Sequence, residues 1–349
     1  MLFYAKTTII FFVIFILKQI LLRIGDNEEY VNFYQIWLLA PLTSILLLIP
    51  SLKGNVVNLK KNKIINISII EVFLFLCLNL TILIIYSSIE LLTLLILVMR
   101  TYMTEYFILI GNKKNVLKID LILCFFWVFT LLTILFIPSC LNLFLGLFTT
   151  LMGILLFRIL RKKIFKLTFF PNKSAWSYTL SVAFVPAIAF FYSTQLSKNV
   201  VANFLSLYLI ANAIITLFSL LFDRYVYSTR KKPTGLKRYL LHQSYLNIVI
   251  LTVIYISSSF KIQNAYVIII FFTIIRALYG VNIGLIINQF IPLKTQHFIM
   301  MTIMMYTIAW INYLCCNNTF LDFFKNVLTS QAIFALGIYI LSKRYLTNC

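Results

Sequence analysis

The chain has 349 residues, of which 62% are hydrophobic and only 11% charged. That balance excludes a soluble globular domain, where charged residues make up about a quarter of the chain. The net charge of +21 does not read as a nucleic-acid footprint, because the basic residues sit in short loops between apolar runs, where they set orientation in a membrane. An all-α polytopic membrane protein follows, since only helices or closed barrels satisfy the backbone in lipid. The period-2 alternation of barrel strands is absent.

A span needs about 20 mainly apolar residues, and twelve such stretches are expected in chain order. The first, about Lys6 to Ile24, carries Lys18 and no small-residue cleavage site follows it, so it reads as a span and not as a signal peptide. A short acidic turn, Gly25 to Tyr30, leads into the second, Val31 to Pro50, and then a basic loop with Lys53, Lys60, Lys61 and Lys63. Ile65 to Tyr86 and Ile89 to Gly111 are the third and fourth, the latter with Arg100 near its middle. The fifth and sixth, Asp120 to Ile137 and Leu141 to Leu160, are separated by Pro138, Ser139 and Cys140 and close on a basic cluster ending at Lys166. Leu167 to Trp176 then reads as an interfacial connector between halves.

The second half repeats the plan: Ser177 to Thr194, Phe204 to Phe222, Tyr239 to Phe260, Ala265 to about Gln289, Phe298 to Cys316 and Val327 to Leu341. Loops and termini on one side of this arrangement hold 23 of the 30 Lys and Arg, which gives an even-span chain with both termini in the cytoplasm. The halves correspond: Phe33 lines up with Phe204, Lys60 and Lys61 with Arg230 and Lys231, and Arg100 with Arg276. Residues 1–166 and 167–349 are therefore expected to form two parallel six-helix lobes around a central cavity.

Charges at bilayer depth are expensive and mark pathways or ligand sites. Arg100 and Arg276 each lie about 16 Å into their spans, too deep to reach an interface, whereas Lys18 is about 9 Å from a span end and within snorkelling range. Arg100 divides evenly between ligand contact and an ion pair with Glu71 or Glu105. Arg276 has no acid within the spans of its own half and leans toward ligand contact. An arginine fork matches phosphate oxygens bidentately and keeps its charge at depth. One arginine from each lobe would clamp a diphosphate, so Arg100, Arg276 and Lys18 are the candidate substrate-binding residues. Glu71, Glu105 and Asp120 are the candidate ion-coupling residues.

Nothing points to an enzyme. The two histidines, His242 and His297, sit near span ends, and no paired-carboxylate, metalloprotease or nucleophile motif is present. The six cysteines lack metal-ligand spacing, so no cofactor or metal is expected. The tryptophans Trp37, Trp127, Trp176 and Trp310 read as lipid-facing bulk and interface anchors before they read as sugar platforms. Tyr30, Tyr34, Tyr102 and Tyr106 are a weaker candidate set for sugar hydroxyls.

The run LLRIGDNEEYVNFYQIWLLAP, Leu21 to Pro41, together with the two-lobe plan and the paired interior arginines, resembles the polysaccharide (Wzx-type) flippases of the multidrug/oligosaccharidyl-lipid/polysaccharide exporter superfamily. The chain departs from them in its short loops and in Val31 after the tyrosine, where the family commonly has glycine. The resemblance implies a bacterial inner-membrane carrier for a polyprenyl-diphosphate-linked oligosaccharide, an O-antigen or capsule repeat unit, with membrane lipids and polysaccharide polymerase machinery as partners. A membrane-embedded polymerase or transferase, or an exporter of another anionic amphiphile, is the alternative. The absence of a large outer loop speaks against the polymerase.

Overall fold

A computed structural model describes residues 2–24, 31–47, 64–161, 163–170, 173–196 and 295–315, with scattered positions at 201–209 and 322–337. Their elements are α1 (Leu2–Ile24), α2 (Val31–Leu47), β1 (Ile64–Ser68), α3 (Ile69–Ile85), α4 (Ser88–Leu109) and α5 (Lys113–Phe136), followed by a 3-10 turn (Pro138–Cys140), α6 (Leu141–Leu160), β2 (Ile164–Thr168), α7 (Lys173–Gln195) and α8 (Thr295–Leu314). Among the described residues three stretches are long and apolar enough to cross a membrane: Ser88–Leu109, Lys114–Phe136 and Pro138–Leu160. Phe12–Leu22, Ile69–Ile85 and Ile299–Leu314 are shorter apolar helices. The ninth and tenth expected spans, with Arg276, lie outside the described residues, as do the acidic turn Gly25 to Tyr30 and most of the eighth and twelfth spans.

The chain divides into two compact units, one of Met1–Thr179 with Ser197–Asn203 and one of Leu180–Leu196 with Phe204–Cys349. In the first unit α4 is the hub. It packs against α2, α3, α5 and α6, while α1 lies along α5. Of the apolar window of α4, 56% is buried, against 11% for α6, so α4 is the interior helix and α6 a peripheral one. Apolar association is not driven by water in lipid, so peripheral helices keep greasy outer faces there. Leu143, Leu147, Leu151, Ile154 and Phe157 form that face on α6.

Local chemistry fixes where these helices begin and end. Ser87 and Glu90 form a capping box at the start of α4: the Ser87 N–H donates to the Glu90 carboxylate at 3.0 Å and the Ser87 hydroxyl donates to it as well. At the other end Gly111 takes φ 79°, a left-handed position that favours glycine. Its N–H donates to Ile108 O at 3.0 Å and the Asn112 N–H to Phe107 O at 2.9 Å, which together close a Schellman turn. The Asn112 side chain then accepts from the Asn115 N–H at 3.2 Å and starts α5 at once. That cap corrects the fifth span: α5 begins at Lys113, so Asp120 lies two turns inside the helix and not at its edge.

A second correction concerns Ile64–Ser68. The sequence reading assigned most of it to the third span and expected an all-α fold. The structure makes it a strand, paired in parallel with Ile164–Thr168 in the register Ile64 with Ile164 through Ser68 with Thr168. The β-branched run IINIS favours extended backbone over helix. Ser68 ends the strand and caps α3: its hydroxyl accepts from the Glu71 N–H at 3.4 Å and donates to Phe169 O at 3.2 Å.

In the second unit α7 and α8 meet through edge-on ring pairs, Phe184 with Tyr306 at 5.1 Å and Phe191 with Trp310 at 5.9 Å between centroids. Asn326 is the polar knot of this unit. Its amide N–H groups donate to Ala309 O at 2.8 Å and to the Tyr192 hydroxyl at 3.3 Å, and its carbonyl accepts from Asn312 at 3.4 Å and Ser330 at 3.3 Å.

The parallel strand pair predicts cross-linking by register. With the native cysteines replaced, Asn66→Cys with Lys166→Cys should form a disulfide under mild oxidation, because paired residues share a face. Asn66→Cys with Leu167→Cys, on opposite faces, should not. Resistance of the thiols to maleimide-polyethylene glycol reads the outcome.

Candidate interior cation site

The α4–α5 hairpin sets the depth of its charges. Arg100 lies eleven residues before Gly111 and Asp120 nine after it, so the antiparallel pair brings them to a similar level. Arg100 donates from a terminal guanidinium nitrogen to the Asp120 carboxylate at 2.6 Å. Asp120 is 6% exposed and Arg100 29% exposed on their side chains, so the pair is largely withdrawn from solvent. The ion partner of Arg100 is thus neither Glu71 nor Glu105, the two acids weighed for it. Two residues assigned to separate tasks, substrate binding and ion coupling, form one interaction.

Glu71 is buried near the start of α3 and Glu105 half-buried on α4. The hydroxyl of Tyr102, buried on α4, lies within electrostatic reach of Glu71. Arg276 lies outside the described residues. Among the described residues no three His, Cys, Asp or Glu side chains stand close enough to hold a metal ion.

Lys18 changes most. Within snorkelling range of a span end, its stem turns inward instead. The ammonium sits 5.0 Å from the Trp37 ring centroid and 4.7 Å from that of Trp127. The two indoles meet edge to face at 5.0 Å with an interplanar angle of 77°, which makes a right-angled corner around the cation. Trp37 comes from α2 and Trp127 from α5, and both are buried, at 4% and 0% exposed. They are interior residues, not lipid anchors. Trp127 follows Asp120 by seven residues and so shares its face of α5.

The corner is braced on both sides. The Tyr34 hydroxyl donates to Leu21 O at 2.8 Å and ties α2 to α1, and the Tyr34 ring packs on Trp37 at 5.1 Å. Phe126 packs on Trp127 at 4.9 Å and on Phe148 of α6 at 5.0 Å. Lys18 also lies within electrostatic reach of Arg100. Two cations are therefore held in one helix bundle, and Asp120 neutralises one of them.

Several buried polar atoms of α2, α4 and α5 have no hydrogen-bond partner among the described residues. They are Nε1 of Trp37, Nε1 of Trp127, Nε of Arg100, and the hydroxyls of Thr93 and Thr104. Thr93, Arg100 and Thr104 fall on one stripe of α4 by helical spacing. Each orphaned buried donor costs about 1–3 kcal/mol. Three of the five atoms are obligate donors, as is the Lys18 ammonium. Chemically, the Lys18 ammonium and the indole N–H groups beside it suit an anionic or carbonyl-rich group.

The signals that reveal these features are short. The capping box around Glu90, an acid not weighed for any role, is written in the spacing of Ser87 and Glu90. The Arg100–Asp120 pair is written in their near-equal distance from Gly111. The tryptophan corner has no comparable local signal, because it joins three helices. Compared with known proteins, the chain matches no family model, no curated protein and no solved structure.

Removing the Asp120 carboxylate leaves Arg100 without that counter-charge. Asp120→Ala should destabilise the protein by about 2–3 kcal/mol, below the cost for a fully buried pair because the guanidinium is partly exposed. Arg100→Met combined with Asp120→Leu should recover most of that loss. Thermal unfolding in detergent reads both, and a double variant no more stable than Asp120→Ala would refute the pairing.

Proposed function

We propose that the chain is a membrane carrier that moves a polyprenyl-diphosphate-linked oligosaccharide, an O-antigen or capsule repeat unit, from the cytoplasmic to the outer leaflet of a bacterial inner membrane. In this reading two six-helix lobes alternate between inward-open and outward-open states, with both termini cytoplasmic. The diphosphate travels through the cationic interior while the lipid tail stays in the bilayer. The observation that carries the reading is the Lys18 ammonium, held between α1, α2 and α5 by two ring faces, with no carboxylate bonded to it among the described residues. A carrier of organic cations would need the opposite, acids free in its interior. Arg276, the counterpart of Arg100 in the second half, supplies the second cation.

The Arg100–Asp120 pair refines the coupling idea. An arginine that must exchange Asp120 for a phosphate frees a carboxylate each time substrate binds. Asp120 is thereby the acid best placed to link substrate to a proton, ahead of Glu71 and Glu105.

The test is transport in proteoliposomes loaded with a fluorescent polyprenyl-diphosphate disaccharide, followed by quenching of the exposed leaflet with dithionite. The intact chain should equilibrate the probe between leaflets, and Lys18→Met should slow it by about tenfold or more, the loss expected for one charge-assisted contact. Exchange no faster than in protein-free vesicles would overturn the proposal.

A further inference from the structure

We infer that Lys18, Trp37 and Trp127 form a phosphate-binding subsite, in which the tryptophan corner holds the ammonium in reserve and the indole N–H groups take part in seating the anion. This rests on the carrier reading above and adds to it the two tryptophans and a division of labour between the cations.

Three observations carry the inference. The first is what Lys18 touches. Its charge is held by ring faces at 5.0 and 4.7 Å, and among the described residues no carboxylate or carbonyl takes it. A ring face stabilises a cation without using up its N–H donors in directed bonds, so the ammonium stays available to an incoming anion. Arg100, by contrast, is already bonded to Asp120 at 2.6 Å. The second is the pair of buried indole N–H groups on Trp37 and Trp127, both without an acceptor. An indole N–H can only donate, so what the corner lacks is an acceptor.

The third is the contrast within the same chain. The buried Asn326 is satisfied through both its amide N–H groups and its carbonyl. Buried acceptor atoms without a hydrogen bond, Asn66 Oδ1, Asn79 Oδ1 and one carboxylate oxygen of Glu71, belong to β1 and α3, not to the elements that build the corner. The unsatisfied donors of the corner thus stand on the two rings that hold a cation no carboxylate takes among the described residues. Because its three side chains come from α1, α2 and α5, an anion seated there would pull on three helices at once.

The experiment uses the full chain in detergent, with Trp176→Phe and Trp310→Phe so that emission comes from Trp37 and Trp127. Farnesyl diphosphate, farnesol and inorganic pyrophosphate are titrated, and binding of radiolabelled farnesyl diphosphate is measured separately by equilibrium dialysis. The inference expects a saturable change of emission with farnesyl diphosphate and none with farnesol. It also expects affinity to fall about tenfold or more in Lys18→Met and to be largely kept in Lys18→Arg. Trp127→Phe, which keeps the ring and loses the N–H, should weaken binding without abolishing it.

Pyrophosphate binding as tightly as farnesyl diphosphate supports the subsite and identifies the phosphate, not the lipid, as what it reads. Farnesyl diphosphate that binds equally to the parent and to Lys18→Met, with unchanged emission, overturns the subsite and leaves the carrier reading standing. No binding of either diphosphate to the folded parent overturns both.

Discussion

A charge inside a bundle of membrane-length helices must be neutralised, stabilised by dipoles or rings, or matched by a ligand. The first unit is built around that constraint. Its hub helix α4 carries Arg100 on an inner face, and the tight turn at Gly111 and Asn112 returns the chain so that Asp120 meets it. The Schellman closure, the Asn112 cap and the ion pair are one device: the first two set the depth of the third. Lys18 meets the same constraint by another route, through the faces of two buried indoles. These two solutions differ in what they leave over. The ion pair consumes the charge of Arg100, and the indole corner does not consume that of Lys18.

This difference reorders the roles expected of the interior residues. Depth alone favoured the arginines and placed Lys18 last, because a lysine near a span end can extend its stem to the interface. The packing of α1 against α5 turns that stem inward, and the ring faces repay part of the lost hydration. A cation held by ring faces keeps its N–H donors for an anion. The buried N–H groups of Trp37 and Trp127, on the rings that hold it, add donors of the same polarity.

The helical class and several of the apolar helices were legible in the sequence because lipid imposes simple rules. The apolar run around Arg100 and the Leu141 to Leu160 helix could be read directly, and α7 and α8 begin within a few residues of the expected seventh and eleventh spans. What could not be read was tertiary or depended on a few caps. Ile64–Ser68 is as apolar as a helix start, and only its pairing with Ile164–Thr168, a hundred residues away, makes it a strand. Asn112 moved the start of α5 by two turns and with it the depth of Asp120. The pairing of Arg100 was symmetric about Gly111 and could have been found there. The enclosure of Lys18 could not, since tryptophan in a membrane chain is read first as an interfacial anchor and Trp37 and Trp127 reveal their burial only when α2 and α5 come together.

The central claim is that the corner around Lys18 is positive and open to anions. It is tested most directly by the sign of the potential beside Lys18. With the native cysteines replaced, Ile14→Cys places a thiol one helical turn from Lys18, and its reaction with small thiosulfonates of opposite charge compares the two signs at one point. The account predicts that the anionic reagent reacts faster than the cationic one, and that Lys18→Met removes the preference. A faster reaction with the cationic reagent, or equal rates unchanged by Lys18→Met, would contradict it.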